Sequence, residues 1–176
     1  MNPVLECWSS LDPIAAAREI LPCCGSQAWA AEMAARRPFA DIDAMLLVAD
    51  AVWVGLPESA WQEAFASHPR IGQHKPQGAV TPEALAWSSA EQGAAVSQDA
   101  AVRRVLADGN RQYEERFGRI FIVCANGKTA AEILALLERR LGYEPGVELQ
   151  EAAEQQRQIM QLRLHKWLDA REDRGR

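Results

Sequence analysis

The spacing of apolar residues along this chain is overwhelmingly helical, and polar or turn-forming residues between the apolar runs mark where each helix begins and ends. Asp12-Pro13 predicts the start of a first helix, with proline at the one helical position where its missing N–H costs nothing, and Leu21-Pro22 predicts its end. Ser26 is the expected cap of a second helix through Trp29, Met33 and Arg36. Asp41 or Asp43 opens a third, AMLLVADAVWV, which is apolar on most sides and is therefore expected to be buried, with Gly55 as its stop. Pro57 opens a fourth through Trp61 and Phe65, which has to end near Ser67 because Pro69 cannot continue it.

The stretch SHPRIGQHKPQGAV breaks this pattern. Prolines, glycines and the lack of apolar periodicity predict an ordered loop. Thr81-Pro82-Glu83 then opens a short helix reaching Trp87, and the capping-box spacing of Ser88 and Glu91 predicts a break and restart there. Helical spacing resumes from about Ser97 to Phe117 and stops at Gly118. RIFIVCANG is the one good strand pattern, but a lone strand cannot satisfy its own backbone, so an extended buried segment is expected instead of a sheet. Thr129 and Glu132 form another capping box, opening a helix that Gly142 ends, and a last long helix covers Pro145 to Asp169 with Ile159, Leu162, Leu164 and Trp167 as its apolar contacts. The expected fold is all-α: a single compact domain over residues 1–176, about eight helices, and an extended FIVCA segment.

Composition narrows the function. The chain has 176 residues, 48% hydrophobic, with a formal net charge of −5, ordinary values for a globular protein of this length. A mildly acidic chain with scattered arginines is a poor match for nucleic acid or an anionic membrane. The pair Arg139-Arg140 falls where a helix closes and cations suit the dipole. The four cysteines, Cys7, Cys23, Cys24 and Cys124, form no metal-binding spacing and are expected to be reduced thiols of a cytoplasmic protein. No apolar run approaches about 18 residues, so no membrane span is expected.

Candidate chemistry concentrates in the loop. His68 follows a helix terminus, where the last carbonyls favour a cationic ring, and Pro69 and Gly72 suggest a rigid turn around it; a histidine that only caps the helix is the plainer reading. His74 lies in the same loop, without the spacing or the acidic neighbour of a metal site. Glu91 is either the partner of Ser88 in a capping box or a carboxylate tuning His68. Gln92 can both donate and accept hydrogen bonds to amide-like groups. Arg163, inside the apolar LRL, either snorkels outward or forks onto a carboxylate or carbonyl. No Gly-rich phosphate loop or serine-nucleophile motif is present.

HPRIG, then WSSAEQ, then FIVCANGKTAAEIL, then a terminal helix carrying LRL resembles, in that order, the 2-oxo-4-hydroxy-4-carboxy-5-ureidoimidazoline (OHCU) decarboxylase family over nearly the whole chain. The resemblance implies His68 as the catalytic histidine, Glu91 as the catalytic carboxylate, and substrate contacts from Pro69, from the Ser88 to Gln92 stretch, and from the backbone of Phe121, Ile122, Val123, Cys124 and Ala125. It places Arg163 as an arginine on the last helix that reaches the site. It further implies a small-molecule substrate, no cofactor and no metal, and a homodimer; the ending Asp-Arg-Gly-Arg, which is not a peroxisomal address, points to a cytoplasmic enzyme of the bacterial type.

The implied reaction is loss of carbon dioxide from a ring carbon that also bears a hydroxyl, giving (S)-allantoin in urate breakdown. The adjacent C=N accepts the electrons, so the ring is its own sink. Two other readings compete: a helical binding domain that has lost activity, and a hydrolase of a related hydantoin.

Overall fold

Helix starts follow the local chemistry of the chain. The computed structural model describes residues 2–72, 80–93 and 99–173, and contains nine helices among them: α1 (Pro3–Ser10), α2 (Pro13–Cys24), α3 (Gln27–Ala35), α4 (Ile42–Gly55), α5 (Glu58–Ala66), α6 (Pro82–Glu91), α7 (Ala100–Phe117), α8 (Ala130–Leu141) and α9 (Pro145–Glu172). The all-α expectation holds. The Asp12 side chain accepts from Ile14 and Ala15, Ser26 from Trp29, Asp41 from Ala44, and Thr81 from Ala84, each satisfying an N–H that has no partner inside the helix. Thr129 and Glu132 form the reciprocal capping box at the start of α8. Gly118 closes α7 at φ +67°, its N–H donating to the Glu114 carbonyl, a left-handed geometry that glycine reaches without strain.

Four details differ from the sequence pattern. α1 was not foreseen, although Asn2-Pro3 carries the same signal as Asp12-Pro13: the Asn2 side chain accepts from Val4 and proline takes the first helical position. α2 does not stop at Pro22 but runs through it to Cys24, where Gly25 at φ 85° caps it. A proline so near the end removes one hydrogen bond, and carrying the helix on buries Cys23 and Cys24 completely. α6 continues past Ser88, whose side chain is buried, so the expected break and restart at Ser88 and Glu91 is absent. α4 buries only Met45, Ala49, Val52 and Trp53; Leu47 and Val54 on its other face are 73% and 69% exposed.

The chain divides into two compact units, Met1–Ala64 with Arg157–Arg176, and Phe65–Gln156. In the first, α2 packs on α3 and α3 on α4, around Leu5, Trp8, Ile20, Trp29, Met33, Met45, Trp53 and Trp167. Indole N–H groups in this core find carbonyls: Trp8 donates to Ala16 and Trp29 to Ala49, as buried polar groups must. Arg37 ties α1 to α3, donating to the carbonyls of Trp8, Leu11 and Ala34.

In the second unit α7 packs on α8. Gly109 makes the approach close: a Cβ there would lie 2.7 Å from Leu137 Cδ2. The core is Ile71, Leu106, Tyr113, Phe121, Val123, Ile133 and Leu137, with smaller residues between them. Residues 120–125, between α7 and α8, belong to neither helix nor strand and are all buried. No described helix is long and apolar enough to cross a membrane.

Candidate active site

His68 stands two residues beyond α5, its backbone N–H donating back to Phe65 O at 3.1 Å and the residue only 7% exposed. Pro69 and Ile71 are also buried. The loop around them is fastened at three points to other elements of the same unit. Arg70 grips Glu114 of α7 with two parallel bonds of 2.5 and 2.7 Å, a bidentate geometry that fixes direction as well as distance. The Glu114 hydrogen bonds hold the Arg70 guanidinium above its ordinary pKa. Asn110 of α7, itself buried, donates to Ile71 O at 3.5 Å. Gly72, at φ +81°, donates its N–H to Gln92 Oε1 at 3.0 Å.

That last bond joins the HPRIG and SSAEQ motifs. Gln92 is the C-terminal cap of α6 and 8% exposed; Ser88, one turn earlier, is 4% exposed, and Glu91 is half-buried. Because Oε1 accepts from Gly72, Nε2 is the donor that the Gln92 amide has left to offer. His74 and the rest of residues 73–79 lie outside the described residues, as does Ser97. Among the described residues no group of three His, Cys, Asp or Glu side chains gathers as a metal site would require. A surface hollow of about 440 Å³ lies beside the loop, lined by Arg70, Ala107, Asn110, Arg111, Glu114 and Glu115. It is not lined by His68, Ser88, Glu91 or Gln92, and the chemistry of its walls is that of an ion-paired surface, so we do not place a reaction in it.

The segment Phe121–Ala125 is less free than the sequence pattern suggested. Three of its backbone groups already have protein partners: Ile122 O accepts from Arg140 Nη1 at 2.7 Å, Cys124 N–H donates to Gln155 Oε1 at 2.9 Å, and Cys124 O accepts from Lys128 Nζ at 2.8 Å.

Behind this segment sits a buried polar network that sequence reasoning missed. Arg140, 1% exposed, pairs with Glu148, 0% exposed, through Nε at 3.0 and 3.1 Å and through Nη2. Glu148 also accepts from the Tyr113 hydroxyl. Burial, and after it the hydrogen bond to Glu148, push the Tyr113 phenol well above its ordinary pKa. The Arg140 guanidinium lies 4.6 Å from the Phe121 ring centroid, and Tyr113 meets Phe121 edge-on at 5.2 Å. The adjacent Arg139 is exposed, so only one of the two arginines behaves as a surface charge at the helix end. The signal that could have separated them is position: Arg140 lies three and seven residues after the buried Leu137 and Ile133, on the apolar face of α8.

Arg163 belongs to the first unit. It is 1% exposed, with Nη1 donating to Pro22 O at 3.4 Å and its own carbonyl meeting Cys23 Sγ at 3.7 Å. It does not snorkel outward. His165, two residues on, is exposed.

Comparisons with known proteins agree with one another over most of the chain. A family model described as OHCU decarboxylase matches residues 9–165. The "Uric acid degradation bifunctional protein TTL" of Arabidopsis thaliana is 36% identical over 82% of this chain and 44% of its own length. The 2-oxo-4-hydroxy-4-carboxy-5-ureidoimidazoline decarboxylase of Amia calva is 36% identical over 62% of each chain. This chain thus spans less than two thirds of both relatives. A crystal structure of OHCU decarboxylase in the presence of (S)-allantoin superimposes with a TM-score of 0.73 at 34% identity, covering 86% of this chain and 97% of that one. The family model spans residues 9–165 and the solved structure agrees with it in fold and sequence, so the chain belongs to the OHCU decarboxylase family.

Proposed function

We propose that this protein decarboxylates 2-oxo-4-hydroxy-4-carboxy-5-ureidoimidazoline to (S)-allantoin, with His68 and Glu91 as its catalytic pair. The observation that carries this reading is the bond from Gly72 to Gln92: it ties the loop of the buried His68 to the end of α6, where Glu91 and Gln92 are neighbours in the chain. A titratable ring on a loop fastened by Arg70, Ile71 and Gly72 is held in place before substrate arrives, which is what acid–base catalysis needs.

In the proposed reaction the bond from the ring carbon to its carboxylate breaks, carbon dioxide leaves, and the electron pair forms a C=C as the adjacent C=N opens, its nitrogen taking up a proton from solvent. His68 hydrogen-bonds the hydroxyl on the same carbon and takes its proton as the carbonyl forms. One face of the planar intermediate then receives a proton on the ureido-bearing carbon, fixing the (S) configuration. Glu91 orients His68, and either group can complete the relay. Gln92 donates through Nε2 to an acceptor on the substrate. Pro69 and Ser88 line the binding site, and the backbone of Phe121 to Ala125 reads the amide groups of ring and ureido chain. On an extended backbone the N–H and C=O of one residue share a side and alternate along the chain. With Ile122 and Cys124 engaged by Arg140, Gln155 and Lys128, that alternation leaves the groups of Val123 for the ligand. We also propose a homodimer working in the cytoplasm; sedimentation of the purified protein tests the first and fractionation of the source cells the second.

The decisive test generates the labile substrate from urate in situ and follows carbon dioxide release and optical rotation. The decarboxylase reading requires accelerated decay and optically active allantoin; unchanged decay would mark a binding domain and a ring-opened acid a hydrolase, either of which overturns it. His68→Ala should fold and lose about 10²–10⁴-fold in rate.

A further inference from the structure

The Phe121–Ala125 segment has no helix or sheet to set its backbone, yet its polar groups are held by side chains from three different places in the second unit. Arg140 of α8 holds Ile122 O at 2.7 Å, and Gln155 of α9 holds Cys124 N–H at 2.9 Å. These two contacts fall on alternate residues, with Val123 between them. Both holding groups are themselves held. Arg140 is fully buried, paired with Glu148, stacked on Phe121, and stabilised at one remove by the Tyr113 hydroxyl on the same carboxylate. Gln155 uses its Nε2 to donate to Glu151 one turn back, at 3.0 Å, which fixes its amide with Oε1 toward Cys124. The network costs desolvation of a full ion pair.

We propose that Arg140 and Gln155 are positioning residues that clamp the two successive peptide groups on either side of Val123 and so set the direction in which Val123 presents its N–H and C=O to the substrate. This rests on the function proposed above, but assigns a role to residues that touch no substrate. A peptide group that must meet a ligand at hydrogen-bond distance tolerates little rotation, and misplacement by about 1 Å costs roughly 10²-fold in rate.

The contact from Gln155 gives the cleaner test, because only an acceptor is required there and the residue is partly exposed. Gln155→Glu, made together with Glu151→Gln so that donor and acceptor of that pair are exchanged and no two carboxylates meet, keeps the acceptor for Cys124 N–H; Gln155→Leu removes it. The clamp predicts that Q155L loses 10- to 100-fold in kcat/KM, binds (S)-allantoin correspondingly more weakly and melts somewhat lower because Cys124 N–H loses that acceptor, while Q155E with Glu151→Gln stays within about threefold of the parent protein in activity and allantoin affinity. Arg140→Lys, with Arg140→Ala assayed with and without added guanidinium, probes the other half: rescue by guanidinium in a folded R140A supports the clamp. Should the Arg140 variants not fold, the Gln155 pair decides alone. Equal activity and allantoin affinity in Q155L and the parent protein would overturn the clamp. Absence of any acceleration by the parent protein would instead overturn the proposed function, and amide chemical shifts of Ile122 to Cys124 that move in Q155L and not in Q155E with Glu151→Gln would then still report whether Gln155 sets the segment.

Discussion

Removing the carboxylate of Glu148 tests the buried network most directly. In Glu148→Ala the Arg140 guanidinium, 1% exposed, keeps its charge with no anion beside it, and the Tyr113 hydroxyl loses its acceptor. Breaking a buried ion pair from one side costs about 3–5 kcal/mol, and a buried hydroxyl left without a partner adds about 1–3 kcal/mol. Against a total stability of about 5–15 kcal/mol, such a loss is a large fraction of the whole. For a chain of this length each kcal/mol lowers the melting temperature by about 2–4 °C, so a combined loss of about 4–8 kcal/mol should make E148A melt roughly 8–32 °C below the parent protein. Urea unfolding followed by tryptophan fluorescence and by circular dichroism gives the same quantity as a shifted midpoint. Adding Tyr113→Phe to E148A removes the orphaned hydroxyl, and the double variant should recover about 1–3 kcal/mol over E148A alone. If E148A stays within about 1 kcal/mol of the parent protein, or if Y113F costs as much in the E148A background as by itself, the three groups are not energetically coupled and the reasoning fails.

Three further outcomes can be checked with the same methods. Gly72→Ala meets no atom within 4 Å of its new Cβ but inherits φ +81°, so it should lose about 1–2 kcal/mol from backbone strain alone; an unchanged urea midpoint would mean the turn relaxes freely. Glu132 is held below its ordinary pKa, first by the Thr129 backbone N–H and then by the Thr129 hydroxyl. Its contribution is therefore present at neutral pH and lost as pH falls through the depressed value, so the stability gap between the parent protein and Glu132→Gln should narrow in acid; a gap that is constant with pH would sink the capping-box account. Tyr113 is shifted the other way: its contribution is complete below the ordinary phenol range near about pH 10 and falls as pH rises beyond it, because the unfolded chain ionises first. Tyr113→Phe should remove that alkaline loss, which a pH series of thermal melts would register.

How much of the molecule was readable beforehand depended on range. Caps are made by a side chain and the N–H groups two or three residues ahead of it, so Asp12, Ser26, Asp41, Thr81 and the Thr129–Glu132 pair marked their helices correctly, and Asn2 would have marked α1 by the same rule. Pro22 and the Ser88–Glu91 spacing misled because a local preference of about 1–3 kcal/mol yields when continuing the helix buries Cys23, Cys24 or Ser88. The motifs HPRIG, WSSAEQ and FIVCANG were legible as unusual segments, and their order identified the family. What held them was not legible. Arg70 with Glu114, Gly72 with Gln92, and Cys124 with Gln155 are pairs 44, 20 and 31 residues apart, and nothing in residue spacing selects one partner over another at that distance. The sequence by itself determined helix type, helix starts and candidate chemistry, because those are set within a turn or two of the chain. Only the tertiary structure decided that Arg140 is a core cation and Arg139 a surface one, because burial and pairing are settled by which faces meet once the helices pack.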